Sequence, residues 1–136
     1  MLEFLKLFDR SSQPVVIQDE NKKIIYNNPA AHDVLSFYDK TKEYNIRVFE
    51  NTSHFLSNQE LPYQELPFDQ VYKGLNHSLA IVFFQSVSNV HEKQWWSIDS
   101  STYDQNEHRY IISFWKNLTQ IKKRESNWKF LAETGK

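Results

Sequence analysis

The chain has 136 residues, the length of one domain, and 15% of them are aromatic, a content that disordered chains lack. The formal net charge of −1 gives no basic footprint for nucleic acid or an anionic membrane, and two glycines exclude a Gly-rich phosphate loop. The absence of cysteine removes disulfides, thiolate zinc sites and cysteine nucleophiles, and it fits a reducing compartment.

The first elements along the chain are a short helical stripe, a hairpin and a second helix. Leu2, Leu5 and Phe8 recur at helical spacing. Residues 14–26 predict a β-hairpin, because β-branched residues flank a polar turn. Asn28 is predicted to be the N-cap of a helix that starts at the proline after it.

The rest of the chain predicts a helical middle followed by three strands. Residues 39–62 show no clear period and are predicted to be mostly loop with a brief helix. A helical face beginning at Phe68 should end at Gly74, where glycine suits a helix terminus. The predicted strands are 78–87, 93–103 and 108–117, and short turns between them imply an antiparallel meander.

Three stretches, in their order and spacing, resemble a PAS domain, a sensory module. They are DRSSQPVVIQDENKKIIYNNPAA, NQELPYQELPFDQVYKGL and RYIISFWKNLTQIKKRE. The resemblance implies an α+β fold: a five-stranded antiparallel sheet with short helices over one face, flanked by N-terminal and C-terminal helices. Asn117 stands where the family's exit motif usually has Asp. The usual turn glycine of the first hairpin is also missing, and Asn21 is the residue there that tolerates left-handed backbone.

This resemblance divides the chain into three parts. Residues 1–9 are expected to form an N-terminal flanking helix and residues 10–119 the PAS-like sensory domain. Residues 120–136 are expected to form an exit helix that leads to an output domain beyond the chain.

The closing strand is apolar on both faces, which a strand with one wet face would not be. One set comprises Ile111, Ser113 and Trp115, and the other comprises Tyr110, Ile112 and Phe114. By resemblance the first set faces the helix-covered pocket. The second set then needs a cover, which the N-terminal helix, the exit helix or a second subunit would supply. Covering each such apolar side chain is worth roughly 1.5–3 kcal/mol, and an open patch would invite association.

The exit helix is predicted to depend on packing. Thr119 is its expected N-cap, and Leu118, Ile121 and Trp128 approximate an apolar stripe. Cations in its first turns oppose the helix dipole, so the helix should be weak alone. The predicted coupling or interface residues are Leu5, Phe8, Tyr110, Ile112, Phe114, Asn117, Thr119, Ile121 and Trp128.

The space between helices and sheet is either a ligand pocket or a filled core, and the sequence leaves both alternatives open. The candidate pocket-lining residues are Phe49, Phe55, Phe68, Tyr72, Gln85, Ser97, Ile111, Ser113 and Trp115. No cofactor is assigned: a light-driven flavin adduct needs a cysteine, and haem is disfavoured because the helix before the third strand offers no histidine. No metal-ligand spacing, acid–base pair or Gly-x-Ser-x-Gly elbow is present, so no metal site and no catalytic residue is predicted.

The functional hypothesis is a cytoplasmic sensory module, not an enzyme. It would relay binding of a small molecule or partner through its C-terminal helix to a covalently attached histidine kinase of a two-component system, or to a cyclic-dinucleotide enzyme. A homodimer is expected, with no nucleic-acid partner and no membrane span within this segment. The alternatives are a ligand-free dimerisation scaffold and a small α+β enzyme with a curved-sheet pocket, against which the hairpin-first order counts.

Overall fold

The computed structural model describes residues 3–38, 43–50, 60–61 and 65–124, without the side chains of residues 3 and 4. The strands are β1 (Val15–Gln18), β2 (Ile24–Asn27), β3 (Tyr44–Glu50), β4 (His77–Ser86), β5 (Lys93–Gln105) and β6 (His108–Asn117). An N-terminal 3₁₀ segment spans Glu3–Leu7, a longer 3₁₀ helix spans Pro29–Tyr38, and helix α1 spans Pro67–Tyr72. Residues 119–124 are helical and begin the exit helix.

The strands form one antiparallel sheet in the order β2-β1-β6-β5-β4-β3. This confirms the predicted α+β fold and places the closing strand β6 between β1 and β5. The sheet has six strands rather than the expected five, because β3 arises from the stretch predicted to be mostly loop. In β3, Ile46 and Val48 alternate with polar Asn45 and Arg47, which is the pattern of a strand with one buried face.

The first hairpin turn differs from the prediction in which residue takes the left-handed conformation. Lys22 has φ of 65°, whereas Asn21 is not among the residues with positive φ. The Asp19 carboxylate explains the difference, since it accepts the N–H groups of Asn21 at 2.8 Å and Lys23 at 3.0 Å. Both neighbours of Lys22 are thus held by one side chain, and the residue between them takes the unusual φ.

The core lies between one face of the sheet, called here the front face, and the helices. Ala31, Val34 and Phe37 from the longer 3₁₀ helix and Phe68 and Val71 from α1 are buried against it. Helix α1 ends as predicted, with Gly74 at φ of 137° just beyond it. The remaining members of the front-face core are Val16, Val48, Leu66, Ala80, Val82, Phe84, Trp96, Ile98, Ile111 and Trp115.

Asn28 has a different role from the predicted helix cap. Its side chain is buried, with Oδ1 accepting the Val15 N–H at 2.9 Å and Nδ2 donating to the carbonyls of Phe8 at 2.9 Å and Gln13 at 2.8 Å. Only its main-chain carbonyl serves the helix, by accepting the Ala31 N–H. The side chain therefore ties the N-terminal segment to β1 instead of capping the helix.

Candidate functional site

Trp115 lies at the centre of a stack of aromatic rings on the front face. It has no exposed surface, and its ring centroid is 5.8 Å from that of Phe37 and 6.2 Å from that of Phe68. Phe37 also stacks on Phe84 at 4.0 Å, and Tyr38 stacks on Phe68 at 4.4 Å. The rings of these described residues therefore pack against one another between the helices and the sheet.

A short chain of polar groups crosses this aromatic core. The Trp115 indole N–H donates to the Tyr38 hydroxyl at 2.9 Å, and the hydroxyls of Ser113 and Ser100 lie 2.7 Å apart. Burial raises the pKa of Tyr38 above its usual range, and hydrogen bonds with Trp115 and Ser113 offset part of the rise. The phenol therefore stays protonated and links the end of the 3₁₀ helix to β6.

The strand registers separate the predicted pocket residues into two groups. Phe68, Ile111, Ser113 and Trp115 are buried on the front side. Phe49, Gln85 and Ser97 lie on the opposite face of the sheet, called here the back face, because they alternate with front-face residues along their strands. Their predicted place in the pocket is therefore wrong.

Two further predicted pocket residues lie elsewhere. Tyr72 is 45% exposed and lies under the Lys22 ammonium, whose Nζ is 4.5 Å from the ring centroid. Tyr72 therefore lies on the surface and does not line a pocket. Phe55 lies outside the described residues.

The start of the exit helix is attached to β5 through Trp95. The Leu118 N–H donates to the Trp95 carbonyl at 2.7 Å, and the Trp95 N–H donates to Thr119 Oγ1 at 3.0 Å. Leu118 is buried, and the Lys122 Nζ lies 4.8 Å from the centroid of the Trp95 ring. We call the segment Asn117–Thr119 with Trp95 the exit junction.

Asn117, rather than Thr119, supplies the side-chain acceptor at the start of the exit helix. Its Oδ1 accepts the Thr119 N–H at 2.9 Å, and Thr119 is itself the first helical residue. The predicted N-cap at Thr119 is therefore displaced. The Thr119 hydroxyl is turned to β5, and the amide oxygen of Asn117 fills the role that a carboxylate oxygen would fill.

The N-terminal segment gives the back face of β6 part of its cover. Phe8 packs edge-on against Phe114, with centroids 5.8 Å apart. The Tyr26 hydroxyl donates to the Leu5 carbonyl at 3.0 Å and the Asp9 carboxylate at 2.6 Å, and burial together with Asp9 raises the pKa of Tyr26 to about 12. These contacts fix the segment over the sheet.

The apolar side chains on the back face of β6 are consequently half-buried rather than open to water. Tyr110, Ile112 and Phe114 all show intermediate exposure. Of the other predicted coupling residues, Ile121 is half-buried on the exit helix, and Trp128 lies outside the described residues. The back face also carries an aromatic group in which Trp95 contacts Phe83 at 4.8 Å and Phe49 at 5.3 Å.

An open groove of about 580 Å³ lies on the front side beside the exit junction. It runs between the loop before β1, the 3₁₀ helix and the last residues of β6. It is lined by Ser12, Gln13, Pro14, Ala30, Asp33, Trp96, Trp115, Lys116 and Asn117.

The sequence interpretation missed the roles of four residues that organise the core and the exit junction. Asn28 and Tyr38 act through partners far along the chain, which no local pattern indicates. Leu118 was noted only as part of a helical stripe. Trp95 could have been distinguished from Trp96, because neighbouring residues of a strand point to opposite faces.

The titratable pairs are on the surface. His77 Nε2 and Asp99 Oδ1 lie 2.6 Å apart, an approach that the sequence did not predict, with their side chains 57% and 46% exposed. In the part of the chain that the structure describes, no three His, Cys, Asp or Glu side chains are grouped to hold a metal ion. Across residues 3–38, 43–50, 60–61 and 65–124, no helix has the length and apolarity of a membrane span.

Comparison with known proteins gives a structural likeness. No protein-family model matches the chain, and no curated protein sequence matches it. Its structure is similar to one described as the crystal structure of a PAS domain from a two-component sensor histidine kinase, at 15% identity and a TM-score of 0.47. That similarity covers 85% of this chain and 96% of the other.

Proposed function

We propose that this chain is a PAS-type sensory module, without catalytic activity of its own, that transmits changes in its core to the exit helix. The observation that carries the proposal is the position of β6. β6 supplies Trp115 to the centre of the core. Three residues later, Leu118 directly follows the strand and lies in the exit junction.

The contacts on either side of β6 form one continuous path. Tyr38 holds the Trp115 indole at one end, and Trp95 holds both Leu118 and Thr119 at the other. Because packed interiors shift between discrete arrangements and do not deform smoothly, a displacement of Trp115 would be passed along the strand. The exit helix would then dock or release as its anchor at Trp95 changes.

The proposal extends to the surroundings of the domain. The exit helix would lead to a covalently attached histidine kinase or cyclic-dinucleotide enzyme, in the cytoplasm, and the half-buried back face would pair with a second copy. A small molecule between helices and sheet would be the signal. Titration of the full-length protein by sedimentation, and mass measurement under native conditions, test pairing and a retained ligand.

A ligand-free dimerisation scaffold is the second function to consider. The observation that favours it is the stacking of Phe37 on Phe84 and Tyr38 on Phe68, which fills the front of the sheet with side chains. Under this alternative, signals arrive through the partner subunit. Native mass and an absorbance scan separate the two, because a retained ligand adds mass or a visible band and a scaffold adds neither.

Amide hydrogen exchange tests the relay itself. Tyr38→Phe removes the acceptor of the buried Trp115 N–H without changing ring size, whereas Tyr72→Phe makes the same change at an exposed ring. Tyr38→Phe should speed exchange at Leu118 and Lys122 more than at Val82 in the middle of β4. Tyr72→Phe should leave all three unchanged.

Two results would count against the relay. One is equal acceleration at Leu118 and Val82 in Tyr38→Phe, which would mean general destabilisation. The other is unchanged exchange at Leu118 in a variant whose Trp115 indole resonance has clearly moved.

A further inference from the structure

Helix α1 covers part of the aromatic core with buried side chains. Phe68 stacks on Tyr38 at 4.4 Å and its ring centroid lies 6.2 Å from that of Trp115, and Val71 is also buried. The helix has six residues, and its N-cap residue, Leu66, has an aliphatic side chain that cannot accept a hydrogen bond. A helix this short has little stability of its own, so α1 keeps its place through contacts with the rest of the domain.

One of these contacts comes from the turn of the first hairpin. The Lys22 Nζ lies 3.3 Å from Asp69 Oδ1 and 4.5 Å from the centroid of the Tyr72 ring. Asp69 and Tyr72 are three residues apart, so they lie on the same side of the helix. Lys22 therefore holds this side of α1 from a turn that lies 47 residues before Asp69 in the chain.

The hairpin turn fixes the backbone from which this ammonium group extends. Lys22 has φ of 65°, and its N–H donates to the Asp19 carbonyl at 3.1 Å. Its own carbonyl accepts the side-chain amide of the buried Gln18 at 3.1 Å. Both main-chain polar groups of Lys22 are thus bonded, and the side chain starts from a defined position.

We propose that Lys22 is an ionic latch that keeps α1 closed over the aromatic core, and that α1 opens as a lid when this contact is lost. Gly74 follows α1 at φ of 137°, and a glycine backbone accommodates the rotation that such an opening requires. The side chains of Lys22 and Asp69 are 43% and 33% exposed, so dissolved ions reach the contact and screen it. The rate of opening is then set by ionic strength.

Opening of α1 would uncover Tyr38 and Trp115, which Phe68 covers in the closed state. A small molecule would reach the core by this route, and that use of the lid rests on the proposed function. The opening motion itself does not rest on it, because hydrogen exchange detects the motion without a ligand.

Hydrogen exchange in Lys22→Gln tests the latch, with Lys23→Gln as the matched control in the same turn. The reporters are the Lys73 amide, which donates to the Asp69 carbonyl at 3.0 Å, and the indole N–H of Trp115 in the core. Both should exchange roughly two- to fivefold faster in Lys22→Gln, the range for a partly exposed ion pair with a cation–π contact. Both should keep their wild-type rates in Lys23→Gln, because Lys23 is exposed and forms no ion pair with the described residues.

Ionic strength should act through the same contact. From about 0.01 to about 1 M sodium chloride, the screening length falls from about 30 to about 3 Å. Exchange at Lys73 should therefore speed up more in the wild type than in Lys22→Gln, which has already lost the ion pair. An equal response of the two proteins to salt would show that Lys22 is not an ionic latch.

The exchange rates also contain the other results that would overturn the proposal. These are an unchanged rate at Lys73 in Lys22→Gln, and an equal acceleration in Lys23→Gln. A faster Lys73 amide with an unchanged Trp115 indole would show that α1 is not a lid over the core, and equal acceleration at Val82 in β4 would mean general destabilisation. Exchange at Leu118 in Tyr38→Phe depends on none of these results, so the two proposals fail separately.

Discussion

The exit junction depends on the side-chain hydroxyl of Thr119, which can be replaced by a methyl group with almost no change in side-chain shape. In Thr119→Val, a methyl group replaces Oγ1, and the half-buried Trp95 N–H loses its acceptor at 3.0 Å. The Leu118 N–H still donates to the Trp95 carbonyl, so the junction should be weakened and not abolished.

The expected cost follows from the geometry. A donor left without a partner in a partly buried place costs about 1–3 kcal/mol, and Trp95 is only half-buried, so we expect about 1–2 kcal/mol. Valine and threonine have similar helix propensities, so the substitution adds little at the first helical position. For a domain of this size, about 1 kcal/mol corresponds to a fall of roughly 3–5 °C in Tm.

Urea unfolding with a matched variant measures this cost. Thr102→Val makes the same change on β5, where no side-chain hydrogen bond of Thr102 is present among the described contacts, and it should change the free energy of unfolding by less than about 0.5 kcal/mol. Exchange at Leu118 and Lys122 should be faster in Thr119→Val than in Thr102→Val. Equal stability of the two variants, with equal exchange, would refute the role given to the Thr119 hydroxyl.

Three further predictions concern the N-terminal cover. Because the pKa of Tyr26 rises from 10.0 to about 12 on folding, stability should fall as pH rises from about 10 to 12, and Tyr26→Phe should lose less over that window in urea melts. An identical alkaline loss in Tyr26→Phe would contradict this. Asn28→Ala leaves the buried Val15 N–H without its acceptor and should cost about 3 kcal/mol, whereas the exposed Asn27→Ala should be nearly neutral by the same assay. Phe8→Ala uncovers Phe114, so sedimentation should show stronger self-association; an unchanged association constant would argue against Phe8 as its cover.

The alternation of the closing strand was the most productive sequence signal. Both parities of residues 110–115 are apolar, so the sequence predicted that both faces of the strand are covered. The resemblance, not the alternation, directed one set towards the helix-covered side and left the other set in need of a cover. The structure places Trp115 in the core and Phe8 on Phe114. Local chemistry also located α1 and its end at Gly74, because glycine takes the φ of 137° found there.

The sequence was less informative about side chains whose face or hydrogen bonds are decided by a partner far along the chain. Gln85 and Ser97 were assigned to the pocket, but a one-residue difference in parity places a side chain on the other face, and only the register fixes that parity. The role of Asn28 depends on carbonyls fifteen and twenty residues away. Strand β3 was missed although Ile46 and Val48 alternate with polar residues, because this alternation is short and its pairing partner β4 begins far along the chain, at His77.

A double-mutant cycle between Tyr38→Phe and Thr119→Val tests the central claim, that core and exit junction are coupled through β6. Substitutions at independent sites add within about 0.3–0.5 kcal/mol. The account predicts a coupling free energy above about 0.5 kcal/mol in urea unfolding, because both changes loosen contacts at the C-terminal end of β6, at Trp115 and just beyond it at Thr119. Strict additivity, with each single variant at its expected cost, would contradict it.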